Sequence, residues 1–265
     1  MSRALAAELF KLRTTRTNVG VALGALALVV VISLVAALAG DFQPRDRAIE
    51  LLQIAGLVQL FALILGILSV ATEYRHGTIT PSLLTIPDRT RLILAKLIAA
   101  LALGLALGLV ATAVCAAIVL PIVSGRVDTS ADGGQVVKEI VGNAVASGLF
   151  AAIGVGLGAL LRNQVGAIIG ALGWLFLVEP LLGIIPGFSD VISKWFPSGA
   201  ADQTSGWSDI ADRLGQVPAG LVLAGYALAF LVAGIAMVRK RDVSACGAAR
   251  GAAAGGESPP GRARR

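Results

Sequence analysis

Glu179 is the one acidic residue well inside a long apolar run of the chain, and Pro180 follows it directly. On insertion scales, a charged side chain at the centre of a lipid bilayer costs about 2.5–3.5 kcal/mol. A carboxyl there is expected either to act as a proton or cation contact in a polar path, or to lie near an interface and pair locally. The single histidine, His76, sits in a polar stretch with no acid–base partner inside that stretch, so a contact role fits it better than a pH switch. The two cysteines, Cys115 in an apolar run and Cys246 in a polar tail, give no disulfide framework. With one histidine they give no zinc site and no other metal set.

Two further patterns bear on nucleotide chemistry. Gly154, Gly156 and Gly158 form a Gly-x-Gly-x-Gly run, but it lies within an apolar segment, not between a strand and a helix. Close helix packing through small residues is the better reading. The spacings Gly20/Gly24, Gly104/Gly108 and Gly166/Gly170 fit the same role. A phosphate-cradling P-loop needs Gly-Lys before Ser or Thr, and none of Lys11, Lys96, Lys138, Lys194 and Lys240 follows a glycine. The sequence therefore offers no ATPase motif. An intramembrane enzyme would need nucleophiles, acids or ligands clustered at depth, and that cluster is missing.

The elements that hold these residues are set by hydropathy. The chain has 265 residues, 56% of them hydrophobic and 14% charged, against about 25% charged in soluble domains. A hydrocarbon core about 30 Å thick needs roughly 20 apolar residues per helix. Six runs meet that length: about 19–39, 51–71, 92–123, 140–161, 165–185 and 218–238. The fold class is thus all-α, a polytopic membrane protein with six transmembrane helices. Ala37-Leu38-Ala39 resembles a signal-peptidase site, but the run before it is longer than a signal-peptide core. Only Arg162-Asn163-Gln164 separates spans four and five, which predicts an antiparallel hairpin. The third span exceeds the required length, and Pro121 marks its end.

Charge fixes the expected orientation. Six spans put both ends on one side, whose segments carry sixteen basic and five acidic residues, a net of +11. The opposite loops carry six basic and ten acidic residues, a net of −4. Basic residues stay cytoplasmic, so both termini are expected in the cytoplasm. This distribution accounts for the formal charge of +6 without nucleic acid as a partner. The basic tail Arg262, Arg264 and Arg265 is expected to be a solvated end, with contact to anionic membrane lipid as the alternative.

Before the first span, Leu5, Leu9 and Leu12 recur at helical spacing between Arg3, Lys11, Arg13 and Arg16, which predicts a short amphipathic helix lying on the membrane surface. Residues 1–18 form this segment, 19–241 the six-helix domain, and 242–265 a Gly-, Ala-, Pro- and Arg-rich tail expected to be disordered. The loop after the second span reads Glu73-Tyr74-Arg75-His76-Gly77-Thr78-Ile79-Thr80-Pro81 and predicts a short helix near 81–85, broken at Pro87-Asp88. It forms a mixed-charge platform suited to docking a soluble partner. The long loop 186–217 carries Phe188, Trp195, Phe196 and Trp207. It reads as short interfacial or re-entrant helices, or as plain interface anchoring.

Two of these stretches carry a resemblance. Glu8-Leu9-Phe10-Lys11-Leu12-Arg13-Thr14-Thr15-Arg16 is similar to the N-terminal signature of ABC-2 type permeases. Glu73-Tyr74-Arg75-His76-Gly77-Thr78-Ile79, with Pro87 and the stretch Arg91 to Lys96, resembles the loop after that family's second span. The resemblance covers about residues 3–241. It implies a membrane subunit of an ABC exporter in the bacterial plasma membrane, working with a second permease copy and with a separate ABC ATPase subunit that carries the ATP and Mg. It implies that Glu8, Lys11, Leu12 and Arg13 belong to an elbow helix. It also implies that Glu73, Tyr74, Arg75, His76, Gly77 and Thr78 belong to the region that couples to the ATPase. Glu179 is then a candidate for the translocation path. A non-transporting membrane scaffold or immunity protein is the alternative, and an associated ATPase discriminates the two.

Overall fold

Long apolar runs interrupted by Gly, Pro and charged turns give a helical bundle. A computed structural model describes residues 2–40, 48–76, 89–126, 133–206 and 214–254. Helix α1 covers Ser2–Thr14 and α2 covers Arg16–Ala39. A 3-10 stretch, Ala48–Leu57, feeds α3, Val58–Arg75. Then follow α4 (Arg89–Val123), α5 (Gly133–Leu161) and α6 (Gln164–Gly173). A π-helical turn, Trp174–Val178, joins α6 to α7 (Glu179–Gly183). Two short helices, α8 (Ser189–Trp195) and α9 (Pro197–Thr204), precede α10 (Gln216–Ala254). Six segments are long and apolar enough to cross a membrane: 16–39, 50–75, 90–123, 134–161, 164–183 and 216–238. Each of the six runs read from the sequence has its helix, with ends shifted by a few residues.

Local chemistry explains the breaks. Thr15 is extended, with φ −73° and ψ 114°, and separates α1 from α2. Its hydroxyl donates to the Lys11 carbonyl at 2.7 Å, and the Thr14 hydroxyl donates to the Phe10 carbonyl at 2.8 Å, so two carbonyls near the end of α1 are satisfied. Between α5 and α6 the chain reverses at Arg162, whose φ of 52° is left-handed. Asn163 then caps α6 by accepting the Gly166 N–H at 3.1 Å. At its far end α10 runs on to Ala254, whereas a tail was expected from residue 242. The alanines at 245, 248, 249 and 252–254 supply the helix propensity.

The bundle is built around α5, which packs along α3, α4 and α10. Of its most apolar window 72% is buried, against 22% for α2 and 17% for the fifth span. Glycine makes the centre possible. A Cβ at Gly154 would collide with the Leu63 carbonyl, one at Gly66 with the Ala151 carbonyl, and one at Gly156 would press on the Phe230 backbone. The Gly154/156/158 run is thus a packing surface. Gly104 and Gly108 press on Ser147, Asn143 and Ala144 in the same way, while Gly20, Gly24 and Gly170 face open space. The peripheral helices expose Leu23, Val31, Leu38, Ile169 and Leu228, an apolar exterior suited to lipid.

Candidate functional site

One end of the bundle, here the base, gathers α1, the end of α3, the start of α4, the α5–α6 turn and the end of the sixth span. Its centre is a group of four charges, of which Glu8, Glu73 and Lys96 are buried and Lys11 is partly open to solvent. Lys96 projects from the second turn of α4 and is 2% exposed. Its ammonium meets Glu8 Oε2 of α1 at 2.8 Å, Glu73 Oε1 of α3 at 2.7 Å and the Ser69 carbonyl at 3.1 Å. Lys11 meets Glu8 Oε1 at 3.0 Å and Glu73 Oε1 at 2.9 Å from the other side. Two carboxylates and two ammonium groups thus balance in charge, and they tie α1 to α3 and α4. Burial alone would lower the Lys11 pKa, but hydrogen bonds and attraction from Glu73 and Glu8 outweigh it and hold it above its ordinary 10.5.

This placement refines the reading of the N-terminal stripe. The residues of α1 turned fully inward are Glu8 and Leu12, one helical turn apart, while Phe10 is exposed. Leu5 and Leu9 are half-buried beside them, and Arg13 is exposed. The coupling stretch divides similarly. Glu73 is buried in the charge group, with its Oε2 unpartnered among the described residues. The Tyr74 ring lies under the Arg162 guanidinium, 5.0 Å from its carbon to the ring centre. Arg162 also donates to the Met237 carbonyl at 3.5 Å, joining the α5–α6 turn to the end of the sixth span. Arg75 and His76 are exposed, and Arg75 donates to Gln164 Oε1 at 3.3 Å. Gly77, Thr78 and the expected short helix near 81–85 lie outside the described residues.

At the opposite end, the rim, a polar layer crosses the bundle. Gln59 Nε2 donates to Asn143 Oδ1 at 2.9 Å and to the Ser205 hydroxyl at 2.8 Å. Asn143 passes a bond to Thr112 Oγ1 at 2.7 Å. Gln216 donates to the Thr204 carbonyl at 2.9 Å, and Gln203 donates to the Ser193 and Gly199 carbonyls. These bonds seat α9 among α3, α5 and α10, while the Gln203 side-chain oxygen stays buried without a hydrogen-bond partner among the described residues. The loop expected to hold short helices does so, as α8 and α9, and Trp174 stacks on Phe196 at 6.1 Å. Trp207 lies outside the described residues.

Glu179 belongs to the rim. Pro180 has no N–H and its ring crowds the carbonyl four residues back, so an α-helical register is unfavourable there. The chain widens instead: the Glu179 N–H donates to the Trp174 carbonyl, five residues back. Phe176 and Leu177 then face outward while Glu179 is 2% exposed. Its Oε2 accepts from the hydroxyl of Ser198 and, at 3.4 Å, from the Ser198 N–H. Its Oε1 makes no hydrogen bond of good geometry among the described residues, with the Trp174 indole its weaker neighbour. Two adjoining cavities open here. One of about 500 Å³ is lined by Glu50, Gln53, Gln59, Phe150, Phe176 and other residues. The other, about 270 Å³, holds Glu179, and both share Leu175, Ser198 and Asp202.

Lys96 was within reach of sequence reasoning, because an ammonium inside an apolar span requires an acid. Gln59 stood out as a strongly polar side chain within the second span, but nothing in the sequence named Asn143 and Ser205 as its partners or Ser198 as that of Glu179.

Six helices long and apolar enough to cross a membrane, with a charged base and a polar, cavity-bearing rim, mark a multi-pass membrane protein. A family model described as ABC-2 family transporter protein matches residues 4–178, about two-thirds of the chain, and the chain belongs to that family. A search of curated proteins finds no significant match.

Proposed function

We propose that this chain is the membrane permease subunit of an ATP-driven exporter, with its base in the bacterial cytoplasm. Family membership implies an ABC ATPase partner, and a second permease copy completes the proposed assembly. The observation that carries the reading is the charge group at the base. It joins α1, α3 and α4 into one mechanical unit immediately before the segment that leads from α3 to α4. A push on that segment from a docked ATPase would bear on three helices that these ion pairs tie together, a contiguous network of the kind that can carry coupling between sites. Arg75 and His76 stand exposed beside the unit and are the proposed contact residues; Glu73 and Tyr74 hold the platform from within.

Affinity purification of the full chain from native membranes tests the reading. An ATPase with a P-loop motif is expected to accompany it. Its consistent absence, from membranes in which the tagged chain is folded, overturns the exporter assignment and leaves a membrane scaffold.

A further inference from the structure

The cavities at the rim have an apolar and acidic lining. Phe150, Phe176, Leu175 and Ile54 supply apolar and aromatic walls. Glu50 and Asp202 stand at the larger cavity, and Glu179 and Asp202 at the smaller. No lysine or arginine is among the described residues that line either one. Glu179 is nearly fully buried, faces the smaller cavity and has one carboxyl oxygen without a hydrogen bond of good geometry. That second oxygen has room for a further donor or a cation beside the Ser198 bonds to the first, and the aromatic walls favour a positive charge. The larger volume, about 500 Å³, is within the range of drug-sized binding sites.

From these features we propose that the paired cavities bind an amphiphilic organic cation. Its apolar body lies against Phe150 and Phe176, and its positive centre sits at the boundary the cavities share, between Glu179 and Asp202. This names a substrate class for the exporter and rests on that reading. Gln53 and Gln59 add neutral acceptors beside the apolar body, which suits a ligand with one charge and few hydrogen-bond donors. The geometry of the π turn contributes directly, because it is what turns Glu179 inward while Phe176 remains at the wall.

The test uses the full chain in nanodiscs of neutral phosphatidylcholine, without any ATPase. Tetraphenylphosphonium is the probe, and tetraphenylborate, of nearly the same shape and opposite charge, is the control; binding is read by equilibrium dialysis. Saturable binding of the cation is expected, weakened roughly tenfold by Glu179→Gln through loss of a charge-assisted contact. Asp202→Asn, at an exposed position, is expected to weaken it as well and keeps the test valid if the Glu179 variant does not fold. Equal affinity for tetraphenylborate overturns the proposal, as does cation binding that never saturates or that Asp202→Asn and a folded Glu179→Gln leave unchanged. Because the ATPase is absent, this result is separate from the co-purification result: a chain that captures its ATPase but ignores the cation remains a permease for some other cargo.

Discussion

Lys96 carries a buried ammonium deep in the base of the bundle. That ammonium sits between Glu8 and Glu73, so its removal leaves two buried carboxylates to share Lys11 alone, with one negative charge stranded. Breaking a buried pair in this way costs about 3–5 kcal/mol. Lys96→Met is therefore expected to lower the thermal unfolding midpoint of the detergent-purified protein sharply. Adding Glu8→Gln should recover part of the loss, because one stranded charge is then gone; a double-mutant cycle measures the recovery. Strictly additive effects would count against a shared charge group. Lys11 behaves differently because it is partly open to solvent. Its folded pKa lies above its ordinary 10.5, so the folded state holds this proton more tightly than the unfolded chain does. The resulting stabilisation is complete below 10.5 and is lost as pH rises through the higher folded value. The gap in melting temperature between wild type and Lys11→Met should accordingly be constant at neutral pH and close in strong alkali. A gap that is unchanged in strong alkali would rule out Lys11 as the titrating contact.

At the scale of helices, small residues decide which elements reach the centre. Gly154→Val forces a side chain into the Leu63 carbonyl, while Gly170→Val meets open space. Overpacking costs about 1–3 kcal/mol where neighbours can shift, and backbone is less able to shift than side chains. Gly154→Val is expected to destabilise the purified protein by at least that amount, and Gly170→Val to leave its melting temperature near wild type; similar values for the two would mean that α3 and α5 do not approach as closely as described. This contrast also shows where sequence reading stopped. The six spans were legible because lipid demands a minimum apolar length. Their neighbours were not, because Gly104/Gly108 and Gly20/Gly24 have the same spacing, yet only the first pair meets another helix. The stripe of Leu5, Leu9 and Leu12 announced α1, but nothing local announced that Glu8 turns inward, since its partner Lys96 is 88 residues away. Glu179 stood out from its type alone. Its π turn follows from Pro180, whereas Ser198 as its partner required the fold of the rim.

Across the whole molecule the two ends differ in charge and in expected role. The base-side segments hold the +11 excess and the rim-side loops the −4, which favours a cytoplasmic base. A reporter fused after residue 265 that fluoresces only in the cytoplasm is expected to light up. If the base is cytoplasmic, an ATPase can reach Arg75 and His76, which are exposed, but not Glu73, which the lysines enclose. Charge reversal at an exposed contact acts through binding and leaves the interior packing in place. Glu73→Gln, by contrast, disturbs the charge group itself, so a loss of activity there does not separate coupling from folding. Arg75→Glu is the discriminating variant: its one described side-chain hydrogen bond, to Gln164, is surface-exposed and long. In the reconstituted complex it should lower transport-linked ATP hydrolysis by roughly tenfold, about 1.4 kcal/mol of coupling, with the melting temperature of the permease unchanged. Wild-type coupling in both Arg75→Glu and His76→Glu would move the docking surface away from the end of α3, and the ATPase would then have to act on the base through α1 or the α5–α6 turn.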